Sequence, residues 1–402
     1  MNAFDKRICV VGLGYIGLPT ASLLGTKGYS VYGVDTSQVV VDTINKGDIH
    51  IVEPDLDVLV KSAVLSGRLS AGLEPKAADI FILAVPTPFK DNNQPDLSFV
   101  EAATRMISPY VEAGNLVILE STSPVDTTNG VVAKILKEAG HDIARDIYIA
   151  HCPERVLPGR ILTELVENDR IVGGINKIST EKAVEFYSTF VRGEVLATDS
   201  RTAEMAKLTE NSFRDVNIAF ANELSLICDQ EGINVWELIA LANRHPRVNI
   251  LKPGPGVGGH CIAVDPWFIV ARAPELARLI RTAREVNDFK PDWVINKVKN
   301  NASKFKQPVI GCLGLAFKAD VDDLRESPAV EIVRRLIADE VGDILVSEPN
   351  IGKHDEFNLQ PYEVVVEKSD ILLLLVDHKQ YRSLKAADLK EKIIIDTRGI
   401  IV

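Results

Sequence analysis

Cys261 ends a stretch rich in glycine and proline, in KPGPGVGGHCIAVDP from Lys252 to Pro266, and Asp265 follows it four residues later. Glycines leave little bulk around the sulfur, so a substrate carbon can reach it and backbone N–H groups can face a developing oxyanion. A thiol so placed is a plausible nucleophile; the ordinary alternative is a small buried hydrophobe. A second constellation opens the chain. In VVGLGYIG, Gly12, Gly14 and Gly17 stand in G-x-G-x-x-G spacing, directly after a strand-like run and directly before a helical one. N–H groups near Tyr15 and Ile16, with the helix dipole, can hold a pyrophosphate there. The next strand-like run ends in Asp35, where a carboxylate can accept from ribose hydroxyls and repels a 2′-phosphate, which favours NAD over NADP. Thr87 in VPTP and Thr122 in ESTSP end two further strands. Each could cap a helix, but their joint position beyond the carboxyl ends of parallel strands favours a cofactor contact.

The elements that position these residues alternate. Strand-like runs RICVVGLG, YSVYGVD, DIFILAVP, NLVILES and IYIAH are separated by helical ones from Ile16 to about Lys27, after Ser37, around Phe99 to Ile107 and after Thr127. That order predicts a parallel, doubly wound sheet. From Ser200 the chain lacks Gly and Pro until Gly232 and is apolar at helical spacing, which predicts one long helix. Shorter helices follow, one near Pro274 to Asp288. From Gln307 the alternation resumes with PVIGCLGLAFK, a helix from Pro328, DILVSEP, DILLLLV and IIIDTRG. The fold class is therefore α/β, with two Rossmann-like doubly wound domains joined by a central helical domain, bounded at 1–199, 200–300 and 301–402. Long central helices of this kind commonly build dimer interfaces.

Composition bounds the function. A chain of 402 residues exceeds one core. No apolar run reaches the ~20 residues that span a bilayer, and MNAFDKRICVVGLG lacks a cleavage site, so a cytoplasmic protein without membrane contact is expected. The five cysteines are scattered singly, indicating neither a disulfide framework nor a metal. The net charge of −11 argues against nucleic acid but leaves room for an anionic small ligand.

GLGYIGLP, AVPTPF, ESTSPV, CPERVLPG, AEMAKLTENSFRDVNIAFANE, GPGVGGHCIAVDP and FKADVDDLRESPA occur in this order along the whole chain. Together they resemble the NAD-dependent nucleotide-sugar 6-dehydrogenases. CPERVLPG and NRHPRVN look like the branch acting on UDP-N-acetyl-D-mannosamine; the UDP-glucose branch usually carries Phe where this chain has Arg155. The C2 epimer, UDP-N-acetylglucosamine, stays open as the substrate, and after it UDP-glucose. The resemblance implies a four-electron oxidation of the sugar C6 alcohol to a carboxylate with NAD as cofactor, through a thiohemiacetal and a thioester on Cys261. It casts Lys207 as proton donor and acceptor, Asn211 as holding the C6 oxygen, Asp265 as ordering water and the lysine, and Glu154 as tied to thioester hydrolysis. Arg155, Val156, Arg214, Gly258, Phe317 and Lys318 match substrate-binding positions, and Arg325 matches an arginine reaching the cofactor pyrophosphate. His245 and Arg247 match an arm entering a neighbouring subunit's site, which implies a homodimer. Pro158 stands where UDP-glucose enzymes tend to have a second glutamate, so hydrolysis should lean on Glu154 and Asp265. GCLGLAFK lacks the G-x-G-x-x-G spacing, so the last domain should bind the UDP-sugar and not a second NAD. A two-electron hydroxy-acid dehydrogenase shares the order of domains but needs no thiol, and a non-catalytic sensor needs neither the thiol nor Lys207.

Overall fold

The computed structural model describes residues 6–90, 93–157, 159–259 and 261–401. These fall into two compact units, Met1–Thr209 and Glu210–Val402.

The first unit is built on β1 (Arg7–Val11), β2 (Ser30–Val34), β3 (Leu69–Gly72) and β4 (Ile80–Leu83), a small ribbon of β5 (Phe89–Lys90) with β6 (Gln94–Pro95), then β7 (Leu116–Leu119), β8 (Tyr148–His151), β9 (Arg170–Gly174) and β10 (Val195–Asp199). The large sheet has the order β10-β9-β8-β7-β4-β1-β2-β3. The strands at its centre are parallel, with Ile8 beside Val31 and Val11 beside Leu83. IFIL of β4 and LVIL of β7 are buried throughout, because helices cover both faces of such a sheet. These helices are α1 (Gly17–Thr26), α2 (Gln38–Asn45), α3 (Leu56–Leu65), α4 (Ser98–Ile107), α5 (Lys134–Glu138), α6 (Ile161–Glu167) and α7 (Lys177–Tyr187).

Three features depart from the sequence expectation. The sheet is not wholly parallel: β9 runs antiparallel to β8, and β10 is parallel to β9. These strands escaped notice because RIVGG ends in two glycines and VLATD is mostly exposed. The glycine is obligatory, since a Cβ on Gly173 would lie 2.2 Å from the Asp199 carbonyl oxygen. The helix expected after Thr127 begins as a π-helical turn, Thr128–Ala133. There the buried Glu204 carboxylate accepts from the Asp126 and Thr128 N–H groups and the Thr128 hydroxyl, at 2.6–2.7 Å.

The third departure lies in the second unit. The long helix α8 runs Ser200–Glu231 as expected, followed by α9 (Val235–Ala242) and α10 (Asp265–Arg272). The next helix, α11, does not stop near Asp288; it spans Arg278–Ala302 with Pro291 inside it. An interior proline costs ~3 kcal/mol. Beyond it Val294, Ile295 and Val298 are buried with Ile310, Ile332 and Leu373, and each such side chain contributes roughly 1.5–3 kcal/mol, which outweighs the proline. The remaining elements are β11 (Val309–Leu313), α12 (Pro328–Ala338), β12 (Asp343–Ser347), α13 (Tyr362–Lys368), β13 (Ile371–Leu374) and β14 (Ile393–Asp396). Their sheet is parallel, in the order β12-β11-β13-β14.

Candidate active site

The three glycines of the first loop serve different ends. Gly12 has φ +89°, and a Cβ on it would lie 2.6 Å from the Ala84 carbonyl oxygen. On Gly17 a Cβ would lie 1.7 Å from the Gly12 carbonyl oxygen. Both are demanded by the fold alone. A Cβ on Gly14 meets nothing within 4 Å, so packing does not explain it and the space before it is open to a ligand. The N-terminus of α1 carries no side-chain cap and no acid in its first turn, which leaves its positive dipole end uncompensated by its own side chains. Asp35 is anchored beside this loop, accepting from the N–H groups of Leu13 at 3.1 Å and Ser37 at 3.0 Å. The ends of β4 and β7 converge: the Thr87 hydroxyl donates to the Thr122 carbonyl at 2.5 Å and Ser121 donates to the Val85 carbonyl at 2.6 Å. Open space, a bare helix start and a fixed carboxylate fit NAD. Asp35→Asn should weaken NAD binding by roughly 10- to 100-fold, the worth of a charged hydrogen bond, and narrow the preference over NADP. Steady-state titration with each cofactor checks this; an unchanged NAD KM would remove Asp35 from the site.

Of the five cysteines, Cys261 is exposed and the other four are buried. The loop before it is pinned to the segment before α12. The Gly259 N–H donates to the Arg325 carbonyl at 3.1 Å, a Cβ on Gly258 would lie 2.4 Å from the Glu326 carbonyl oxygen, and Gly259 has φ +82° with the Phe317 ring against it. From Cys261 the backbone turns into α10, its carbonyl accepting from the N–H groups of Val264 and Asp265 at 3.1 and 2.9 Å. Asp265 is buried and accepts from the Asn211 side-chain amide at 2.5 Å. At the other end of the loop, the Gly254 N–H donates to Asn222 at 2.8 Å. Asn211 and Asn222 are eleven residues apart, close to three turns, so one face of α8 grips the loop at both ends.

Sequence reading missed Asn222 and the buried network behind it. Asn222 donates to Asn287 and Asn287 to Asp215, both at 2.8 Å, while Arg284 pairs with Asp215 at 2.7 Å. Its only local signal was polar residues on one face of an uninterrupted helix. Arg398 was missed too. It pairs with Asp377 at 2.7 Å, and a Cβ on Gly254 would come 2.6 Å from its guanidinium, so this cation borders the thiol loop.

The remaining positions are distributed. Glu154 is buried, accepting from Arg170 at 2.9 Å and from the Arg155 N–H at 2.6 Å. The Arg155 guanidinium reaches the Asp169 carbonyl at 3.2 Å, and Val156 packs against the core of the first unit. Lys207 is half-buried on α8, one turn before Asn211, and Arg214 is exposed on the same helix. Tyr15 and Lys318 are exposed, and Phe317 is half-buried. The Arg325 fork is directed onto Asp323, at 2.6 Å for its closest contact. His245 and Arg247 stand on an exposed loop, the Arg247 N–H donating to His245 Nδ1 at 3.3 Å. Pro158 lies outside the described residues. Among the described residues no group of three or more His, Cys, Asp or Glu is placed to hold a metal, and no helix is long and apolar enough to cross a membrane.

Comparison with known proteins finds relatives along nearly the whole chain. Residues 6–191 match the NAD binding domain of the UDP-glucose/GDP-mannose dehydrogenase family, 201–289 its central domain and 311–402 its UDP binding domain. The chain is 58% identical to an NDP-N-acetyl-D-galactosaminuronic acid dehydrogenase from Ralstonia nicotianae, over 98% of this chain and 96% of that one. It is 55% identical to a UDP-N-acetyl-D-mannosamine dehydrogenase from Yersinia pestis, over 98% and 99%. Among solved structures, a UDP-N-acetyl-mannosamine dehydrogenase from Staphylococcus aureus superposes with a TM-score of 0.91 at 44% identity, covering 98% of this chain and 95% of that one. An NAD loop with open space at Gly14, an exposed thiol on a glycine loop and end-to-end similarity lead to one conclusion: the chain belongs to the UDP-glucose/GDP-mannose dehydrogenase family and is an NAD-dependent nucleotide-sugar dehydrogenase.

Proposed function

We propose that the chain oxidises C6 of UDP-N-acetyl-D-mannosamine to the carboxylate in two steps, through a thiohemiacetal and a thioester on Cys261. The observation that carries this reading is the setting of Cys261: an exposed sulfur on a glycine loop that α8 holds at both ends, one turn before an Asp265 bonded to Asn211. NAD, when bound, supplies the hydride acceptor for both oxidations. The residues of the chain do the rest. Lys207 takes the proton of the C6 hydroxyl while Asn211 holds its oxygen. The Cys261 sulfur then adds to the aldehyde carbon, forming a C–S bond and an oxyanion that Lys207 and Asn211 stabilise. Without that addition loss of hydride from the aldehyde carbon would leave an acylium cation; from the tetrahedral adduct, at the same oxidation level, the oxyanion lone pair can displace hydride and leave the thioester. Glu154, with Asp265, directs water onto the thioester, and the thiolate leaves.

In this reading residues 1–199 hold NAD, 200–300 form the central helical domain and 301–402 hold the UDP-sugar, with Phe317 and Lys318 at the nucleotide and Arg398 as a further cation beside the loop. The enzyme works in the cytoplasm as a homodimer. Phe213, Phe220 and Ile227 support that, recurring every seven residues on α8 and at least half exposed; so does the exposure of His245 and Arg247, the arm that would enter the neighbour's site.

A second reading, an enzyme of N-acetyl-D-galactosaminuronic acid formation, is favoured by the relative at 58% identity. NADH formation measured with purified UDP-N-acetylmannosamine, its C2 epimer UDP-N-acetylglucosamine and UDP-N-acetylgalactosamine separates the two. The manno sugar is expected to give the highest kcat/KM and two NADH per sugar; higher kcat/KM for the galacto sugar would establish the second reading, and for the gluco epimer would overturn both.

A further inference from the structure

Behind Glu154 lies a second carboxylate that the mechanism above does not use. Glu120, directly after β7, is 2% exposed and accepts from the Tyr187 hydroxyl of α7 at 2.6 Å. Its other oxygen has no hydrogen-bond partner among the described residues, and neither has the Nε of Arg170. Arg170, on β9, is 2% exposed and spends its Nη1 on Glu154 at 2.9 Å and its Nη2 on the Leu165 carbonyl at 3.3 Å. The Tyr187 ring, whose hydroxyl holds Glu120, has its centre 5.9 Å from the Arg170 guanidinium, so one buried cation serves two buried carboxylates and is bonded to one of them. Burying two carboxylates against a single cation leaves one negative charge uncompensated.

The neighbours do not supply the missing charge. Burial pushes the Tyr187 phenol well above its ordinary range and the Cys152 thiol up to about 12, so both stay neutral. Burial also raises the Glu120 carboxyl to about 7, against the pull of Arg170 and with a push from Glu154. Of the groups facing this pocket, Glu120 is the one whose charge changes near neutral pH.

We propose that Glu120 is a positioning residue for Glu154: uncharged, it leaves Arg170 wholly to Glu154, and charged, it competes for the guanidinium and slackens the carboxylate that directs hydrolytic water. This rests on the reading of Glu154 given above. The sign follows from the geometry. Raising pH ionises Glu120, divides Arg170 between two carboxylates and slows thioester hydrolysis, whereas attack by solvent hydroxide alone would speed it.

The test is the decay of the Cys261 acyl-enzyme, followed by rapid quench and intact-protein mass spectrometry from acid to alkaline pH. The wild-type rate is expected to fall severalfold to a lower plateau across the Glu120 ionisation, Glu120→Gln is expected to lack that fall, and Tyr187→Phe is expected to move it to higher pH because the lost donor favoured the ionised form. A fall unchanged in Glu120→Gln while Glu154→Gln blocks decay would overturn the positioning role and leave the Glu154 reading standing. Decay at the wild-type rate in Glu154→Gln would take down both. Infrared difference spectra of the wild-type protein keep the proposal open to test should Glu120→Gln misfold. They should show a protonated-carboxyl band that is lost across the same pH range and shifts in Tyr187→Phe; no such band would overturn it.

Discussion

Cys261→Ser is expected to lose acid formation by a factor on the order of 10⁴ or more, with at most one NADH per sugar where the parent gives two. The substitution exchanges one atom at an exposed position. The conformation of the loop is set elsewhere, by the contacts of Gly258 and Gly259 with Phe317 and Glu326 and by the grip of Asn222 on Gly254. Stability should therefore change by no more than about 0.5 kcal/mol, as for other exposed positions. What changes is the nucleophile. A thiol yields thiolate within reach of neutral pH, and the thiolate is the species that adds to carbon; a serine hydroxyl ionises only far above that range. Counting NADH against sugar consumed, with intact mass to detect an acyl adduct, checks both halves. A variant that still delivers two NADH per sugar would end the covalent mechanism, whatever its rate.

The features legible in the sequence were those with a local cause. Gly12, Gly14 and Gly17 could be read because a tight turn, a close approach and a helix packed on a strand each forbid a side chain at a fixed spacing. The extent of α8 was legible because an uninterrupted run without Gly or Pro has one common outcome. What was not legible depends on partners distant in the chain. Arg170 meets Glu154 across 16 residues, Asn222 meets Asn287 across 65 and Gly254 across 32, and Glu53 braces the loop before α6 by accepting from Gly159 and Ile161 across more than 100. No period marks such pairs. The misjudged end of α11 has the same origin, since Pro291 reads locally as a stop and the compensating burial of Val294, Ile295 and Val298 comes from a sheet formed later in the chain. Asp265 as a motif letter could have been a loop cap; at 2.5 Å from Asn211 it ties the thiol loop to α8.

That tie makes Asp265→Asn the second substitution with a large expected effect: kcat should fall by roughly 10²- to 10³-fold while the sugar KM changes little. Asp265 is 3% exposed and Asn211 5%, so the bond between them is sheltered from water, and a charged acceptor makes it about twice as strong as a neutral one. Asparagine keeps the shape and can still present an oxygen to Asn211, so the structural cost should stay near 1 kcal/mol. The charge is lost, however, at the first residue of α10, where a carboxylate also complements the helix dipole. With it goes the fixed negative charge one turn beyond Cys261 that, in the proposed mechanism, orders water and steadies the Lys207 ammonium. Asp265→Ala should be worse in a different way, because it leaves the buried Asn211 amide without its acceptor and costs about 1–3 kcal/mol in stability. Measuring kcat, KM and Tm for both variants separates the roles. If Asp265→Asn lowers Tm as much as Asp265→Ala yet lowers kcat less than about threefold, Asp265 is only a brace between α8 and α10, and the chemistry assigned to it belongs to Glu154 alone.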